Sequence, residues 1–525
     1  MKRLNYVNVL VVLTMLFSFV MFASPIRAAE NSNIVTLKIL SINDFHGALI
    51  ENGKNPGAAK MAQYLKRIIA QDPNNTLLLS AGDMFQGSVD SNLLYGKTVV
   101  EVMNALNFDA MAIGNHEFDW GIDILKAKIA QSTFPYLAAN IIDKKTGKLA
   151  DFSTPYIIIE KAGLKIGIIG IATPETAFKS NPRVVGAYDF EDPAKIVNTL
   201  VPELKQKGAE VIIVVGHLGA IQNKDGLISN DSATLAMNTR GIDAIVSGHT
   251  HTIVAGKVNN IPIVQADHFG RYVGKIELTY DKSAKQVIVS NVSSIPLEPA
   301  ELTADSEVQS IVDSSKSEID PIKNVVLGKT VTDLNHGHEN GTIESPLGQW
   351  CTDVMRQTVH ADIAFENGGG LRVSIPSGSI TTGLLYEVMP FDNTLYTVDL
   401  TGAQVMEVLN HGILNAQIGM LQFSGIKVKA DPSKPFGQQI VSVTMLDETP
   451  LDLNKTYKVV TNDFMAAGGD KYTTFKAGKN FVDTNKPLRD VFIELIKKLQ
   501  IIDFQPDDRF TTIKASAALT LPIAA

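Results

Sequence analysis

Five short polar clusters, each directly behind a run of apolar residues, constrain this chain more than any other feature. The clusters are Asn43-Asp44-Phe45-His46, Gly82-Asp83, Gly114-Asn115-His116-Glu117, Gly216-His217 and Gly248-His249-Thr250-His251. The apolar runs before them are Val35–Ile42, Thr76–Leu79, Ala110–Ile113, Val211–Val215 and Ala244–Val246, and Lys165–Ile171 and Ile261–Val264 have the same character. Helical periodicity appears in Ala58–Ala70, Val99–Leu106 and Pro193–Lys207. Strand, loop and helix in alternation predict an α/β domain with a substantial sheet. In such domains ligands bind beyond the carboxyl ends of the strands. Five strand ends are therefore expected to deliver their polar residues to one cleft.

The residue types in the clusters indicate metal chemistry. Five of the ten histidines in the chain fall in these clusters. Asp, Asn and His together suit zinc, manganese or iron, whereas calcium takes an all-oxygen shell. The ligands are too many for one ion, and a pair of divalent metals needs a bridging carboxylate. Asp83 is the candidate bridge, because Gly82 before it lets the backbone turn sharply. Asp44 and His46 alternate on what reads as an extended segment, so both reach one metal if Phe45 points away. His249 and His251 have the same spacing.

The five clusters, in this order and spacing, resemble the blocks of the calcineurin-like metallophosphoesterases. The wording Asn43-Asp44-Phe45-His46-Gly47 and Gly114-Asn115-His116-Glu117-Phe118-Asp119 is similar to the 5'-nucleotidase branch in particular. The resemblance implies an N-terminal metallophosphoesterase sandwich of sheets flanked by helices. A second α/β substrate-binding domain would be joined to it by a helix. It implies two divalent metals, one held by Asp44, His46 and His251, the other by Asn115, His217 and His249, with Asp83 between them. His116 would act on the substrate phosphate, its ring oriented by Asp119. The implied reaction is hydrolysis of a phosphoric ester by metal-activated hydroxide, without a phosphoenzyme.

The leaving group must be read elsewhere. The polar, acidic stretch Glu301–Ile322 has helical periodicity and is expected to connect the domains. A second globular part follows, from about Val326 to Ile513, with strand-like runs such as Thr394–Leu400 and Tyr457–Thr461. The domains are thus drawn as 33–300, a linker at 301–325 and a substrate domain at 326–515. In Asn367-Gly368-Gly369-Gly370-Leu371-Arg372, the glycines allow a ligand close to the backbone and Arg372 suits an anion. Phe391 and Phe464 lie in turns where two rings could sandwich a flat base, and Asp470 could accept from ribose hydroxyls. By resemblance to 5'-nucleotidases, Asn367, Gly369, Arg372, Phe391, Phe464 and Asp470 would contact a nucleotide. One departure stands out. Where that family commonly has an arginine before the stretch opening the second domain, this chain has Ile343. Another small phosphoester such as a sugar phosphate, a 2',3'-cyclic nucleotide or a UDP-sugar therefore stays open as substrate, as does a nucleotide-binding surface protein without catalysis.

The remaining features concern location and partners. Lys2 and Arg3, the apolar run Val7–Phe22 and the small residues Ala23 to Ala29 form the three-part pattern of a secretory signal peptide, taken as residues 1–28. This predicts a secreted protein, extracellular or periplasmic, with no stable membrane insertion after cleavage. The chain carries 47 Lys and Arg against 55 Asp and Glu, which argues against a nucleic-acid polymer as partner. Its single cysteine, Cys351, excludes an intramolecular disulfide framework and is expected on a buried helix face. A monomer is expected.

Overall fold

The computed structural model describes residues 33–337 and 344–513. The signal-peptide residues and Ile343 lie outside them. The N-terminal part is built on two six-stranded sheets packed face to face. The parallel strands of the first include β1 (Ile34–Ile42), β2 (Thr76–Ser80) and β3 (Ala110–Ala112), and those of the second include β4 (Leu164–Ile171), β5 (Val211–Gly216) and β6 (Ala244–Val246). Parallel strands buried on both faces read as near-continuous apolar runs, which is why these segments show so plainly in the sequence.

The alternation of side chains sorts these runs into layers. Leu37, Ile39, Leu77, Leu79, Ala110, Ile166, Ile168, Ile213 and Val246 fill the space between the sheets. The intervening residues Leu40, Ile42, Leu78 and Met111 face outward. They pack on Met61 and Leu65 of α1 (Gly57–Gln71) and on Val308 and Val312 of α2 (Ser306–Lys323). On the opposite side, Ile169, Ile171, Ile212, Val214 and Ile245 pack on Val197, Val201 and Leu204 of the helix Pro193–Gln206. The result is a four-layer sandwich, helix on sheet on sheet on helix.

The first sheet is extended beyond β1 by a long antiparallel pair, Tyr272–Asp281 and Gln286–Pro296. The sequence reading named neither strand: Tyr272–Asp281 alternates buried with half-buried positions, and Gln286–Pro296 is half exposed, so neither forms a long apolar run.

Helix α2 is more than a tether. Asp305 caps it, accepting from the Val308 amide at 3.0 Å, and Lys66 of α1 pairs with Asp305 at 2.9 Å. At its other end Lys323 reaches Asp90 at 2.6 Å. The second part has its own five-stranded sheet, in which β7 (Ile363–Glu366) is parallel to β9 (Thr456–Asn462), and β9 is antiparallel to β8 (Thr394–Thr401). The helix Pro346–Thr358 packs its Leu347, Trp350, Cys351, Val354 and Met355 face into that core. Cys351 is fully buried there, and burial pushes its thiol well above the usual range.

Candidate metal centre and substrate cleft

The loops after β1, β2, β3, β5 and β6 converge at one end of the sandwich. Ligand atoms of Asp44, His46 and His251 lie within 4.8 Å of one another, and so do those of Asp83, His217 and His249. Asp44 and His46 are not on extended backbone as their alternation suggested. Both adopt left-handed conformations, with φ of 50° and 49°. The chain curls there, with the Asp44 and His46 amides bonding to the Gly82 and Asp83 carbonyls at 3.0 and 3.1 Å. His249 and His251 also have positive φ, 79° and 52°, and their rings part company, one to each group. Phe45, between two of the ligands, turns away into the core.

Close approach explains the glycines. A Cβ at Gly114 would lie 2.2 Å from Asp83 Oδ1, and one at Gly82 would lie 2.8 Å from the Gly114 nitrogen. The φ of 89° at Gly82 is also of the kind that glycine adopts without strain.

The hydrogen bonds fix which histidine nitrogens face inward. His46 Nδ1 lies 2.7 Å from the Gln86 carbonyl, and His217 Nδ1 lies 2.7 Å from the Ala81 carbonyl. Carbonyls accept only, so each Nδ1 donates, and in the neutral ring Nε2 is left with a bare lone pair. His217 Nε2 lies 3.0 Å from Asp83 Oδ2 and 3.2 Å from Asn115 Oδ1, and His46 Nε2 lies 3.1 Å from His251 Nε2. Buried lone pairs pointed at one another call for positive charge between them. At His217 burial is outweighed by the carboxylate of Asp83, which raises the ring to about 10, so a proton on Nε2 supplies that charge there when no metal is bound. Burial and the neighbouring His251 push His46 down to about 3, so it cannot supply that charge as a proton. Burial pushes Asp44 upward, but His251 and His217 outweigh it and hold the carboxyl at about 2. The donor set therefore fits two divalent metals of borderline hardness.

Glu117 was quoted in a cluster but given no role by sequence reasoning. It is buried, and its carboxylate accepts from the amides of Asp83 and Met84 at 2.9 Å each and of Gly114 at 2.7 Å. It clamps the β2 loop to the β3 loop. An acidic residue two positions after a ligand was the only signal available.

His116 stands at the cleft edge of this centre. Its amide donates to Asp83 Oδ1 at 2.8 Å, and its Nδ1 lies 2.7 Å from Asp119 Oδ2. Burial opposes its charge, but Asp119 and Asp83 outweigh burial and raise it to about 9.

The cleft has a volume of about 520 Å³ and is shared by both parts of the chain. Asp83, Asn115, His116, Asp119, His249 and His251 line one wall. Asn367, Gly369, Arg372, Phe391, Phe464 and Asp470 line the other, so every residue expected to contact substrate faces this cleft. Phe391 stacks on His116, with ring centroids 5.9 Å apart and planes 21° apart. Asp470 accepts from Asn367 Nδ2 at 3.1 Å and lies 3.5 Å from Lys179 Nζ, which comes from the first part. Asn462 Nδ2 bonds both Asn367 Oδ1, at 2.9 Å, and the buried Glu366 carboxylate. Burial and the neighbouring Asp463 raise that carboxyl to about 8, against the Asn462 bond.

Several residues around the cleft had no precursor in the sequence reading, Arg489 and Lys179 among them. Arg489 donates to the Met389 carbonyl at 2.8 Å and to Asp392 at 2.5 Å, so it braces the turn carrying Phe391. Nothing local marks Arg489, which comes from a helix about 100 residues later. Lys179 comes from the segment after β4.

Residues 37–252 match the family model for calcineurin-like phosphoesterases, and residues 326–477 match that for the 5'-nucleotidase C-terminal domain. A snake venom 5'-nucleotidase of Naja atra is 31% identical over 84% of this chain and 92% of its own. Endonuclease YhcR of Bacillus subtilis is 32% identical over 92% of this chain, which spans 41% of that protein. The crystal structure of a 5'-nucleotidase precursor from Thermus thermophilus superposes with a TM-score of 0.77 at 30% identity, covering 91% of this chain and all of that one.

Proposed function

The chain belongs to the 5'-nucleotidase family of calcineurin-like phosphoesterases, which are phosphoric ester hydrolases, and from that premise we propose that it is a secreted enzyme releasing phosphate from nucleotides. The observation that carries this reading is the shared cleft: the two ligand groups on one wall face Arg372, two phenylalanines and Asp470 on the other. Asp44, His46 and His251 would hold one divalent metal, and Asn115, His217 and His249 the other, with Asp83 serving both. Zinc, manganese and iron all suit this set. When bound, the pair supplies Lewis acidity that makes water nucleophilic near neutral pH and draws charge from the phosphoryl oxygens.

The chain's own residues do the rest. Asp119 keeps the hydrogen of His116 on Nδ1, or shares it in the charged ring, so Nε2 faces the cleft. A charged His116 donates from Nε2 to a phosphoryl or leaving oxygen as negative charge builds there. Arg372 offers a fixed charge to the phosphate. Phe391 and Phe464 hold the base, and Asp470, steadied by Asn367, accepts from ribose. Among the described residues, Arg372 and Lys179 are the arginine and lysine side chains that line the cleft. Secretion is supported by the leader pattern of residues 1–28, and among the described residues no helix is long and apolar enough to cross a membrane.

A substrate panel tests this reading: AMP, ATP, UDP-glucose, 2',3'-cyclic AMP and glucose 6-phosphate, each assayed for phosphate release. Turnover of AMP well above glucose 6-phosphate is expected, and Phe391→Ala or Phe464→Ala should weaken AMP binding. The loss expected is roughly 5- to 150-fold per ring, from about 1–3 kcal/mol of stacking. Equal or better turnover of the sugar phosphate, untouched by either substitution, would discard the base clamp.

A further inference from the structure

We infer that Glu175 is a positioning residue for His249, setting which nitrogen that ring turns to the metal centre. The inference rests on the two-metal reading above. Glu175 lies in the segment after β4, a sixth strand end that carries no predicted ligand. Its Oε2 is 2.9 Å from His249 Nε2, and its side chain lines the cleft. A carboxylate accepts, so Nε2 carries the hydrogen and Nδ1 keeps the lone pair. Nδ1 is then the only ring atom of His249 able to join Asp83 and His217 in their group.

The contrast with the other ligands is informative. His46 and His217 spend Nδ1 on backbone carbonyls and present Nε2. His249 is turned the other way, and its outer nitrogen meets a charged side chain in place of a carbonyl. A carboxylate behind a ligating imidazole fixes its tautomer and raises its basicity, with effects on metal affinity of about 10- to 100-fold. The segment is also anchored where it must be. Ser180 Oγ donates to the Asn115 carbonyl at 2.7 Å, and the Glu175 amide donates to Thr173 Oγ1 at 3.2 Å. On its far side Asn181 Nδ2 donates to Asp463 at 2.8 Å, tying the same segment to the second part of the chain.

The test uses the full chain, stripped by chelator and titrated with zinc against a chromophoric competitor, with bound metal counted after dialysis. Wild type should bind two ions. Glu175→Ala should lose about 10- to 100-fold in affinity for one of them and keep the other. Glu175→Gln, which still accepts a hydrogen bond but carries no charge, should lose less. Thermal melting of the stripped proteins checks the fold, and if Glu175→Ala melts early, Glu175→Gln decides. Wild-type affinity for both ions in both variants would overturn this inference and leave the two-metal reading standing. A wild-type protein that fails to bind two ions would overturn that reading and this inference with it.

Discussion

The clamp made by Glu117 yields a prediction whose size can be worked out. Its two carboxylate oxygens receive three buried amides, from Asp83, Met84 and Gly114. In Glu117→Ala all three donors lose their partner. An unsatisfied buried donor costs about 1–3 kcal/mol, so the sum before relaxation is about 3–9 kcal/mol, and water entering the vacated space should bring it to about 3–6 kcal/mol. In Glu117→Gln one oxygen remains, and the amide group meets a backbone N–H with a donor of its own. That variant should lose about 1–3 kcal/mol. For a domain of this size a kcal/mol moves the melting temperature by about 2–4 °C. The assay is thermal unfolding in chelator, so that metal binding does not mask the effect, followed by metal content after reloading. Glu117→Ala should melt roughly 6–24 °C below wild type and reload poorly, with Glu117→Gln in between. If Glu117→Ala melts with wild type in chelator, the loops are not held by this carboxylate and the argument fails.

Three more outcomes are expected. His116→Ala should cut turnover while metal content stays at two ions, whereas Asp83→Ala should lose metal; equal metal loss in both would refute their separate roles. Arg489→Leu should raise KM for nucleotides, because the turn bearing Phe391 loses its brace, and an unchanged KM would count against that brace. Glu366 is held protonated by burial, with its folded pKa raised to about 8 from an unfolded value near 4.5. Its contribution is therefore fully present below about pH 4.5 and is lost as pH rises through 8. Melting temperatures across that range should fall with pH more steeply in wild type than in Glu366→Gln, and parallel curves would exclude the assignment.

The sequence made some of this structure legible and hid the rest for identifiable reasons. Strands β1 to β6 were readable because burial on both faces made them continuous apolar runs. The candidate ligands stood out because each follows such a run closely. The conformations at Asp44, His46, His249 and His251 were not, because a period-two pattern assumes extended backbone, and these residues sit at positive φ. Glu175, Lys179 and Arg489 were hidden because their roles depend on contacts across long stretches of chain. His249 and Glu175 are 74 residues apart, and Lys179 meets Asp470 across the two parts of the molecule. Cys351 illustrates the opposite case, since its helical, apolar surroundings were enough to predict its burial.

The most direct test of the central claim is phosphate release from AMP by chelator-treated protein while zinc or manganese is returned in measured amounts. Bound metal per chain would be counted at each step. Activity should be absent after stripping and should reach its plateau as the second equivalent binds. AMP hydrolysis that survives stripping, or that is complete with no metal bound, would contradict the account.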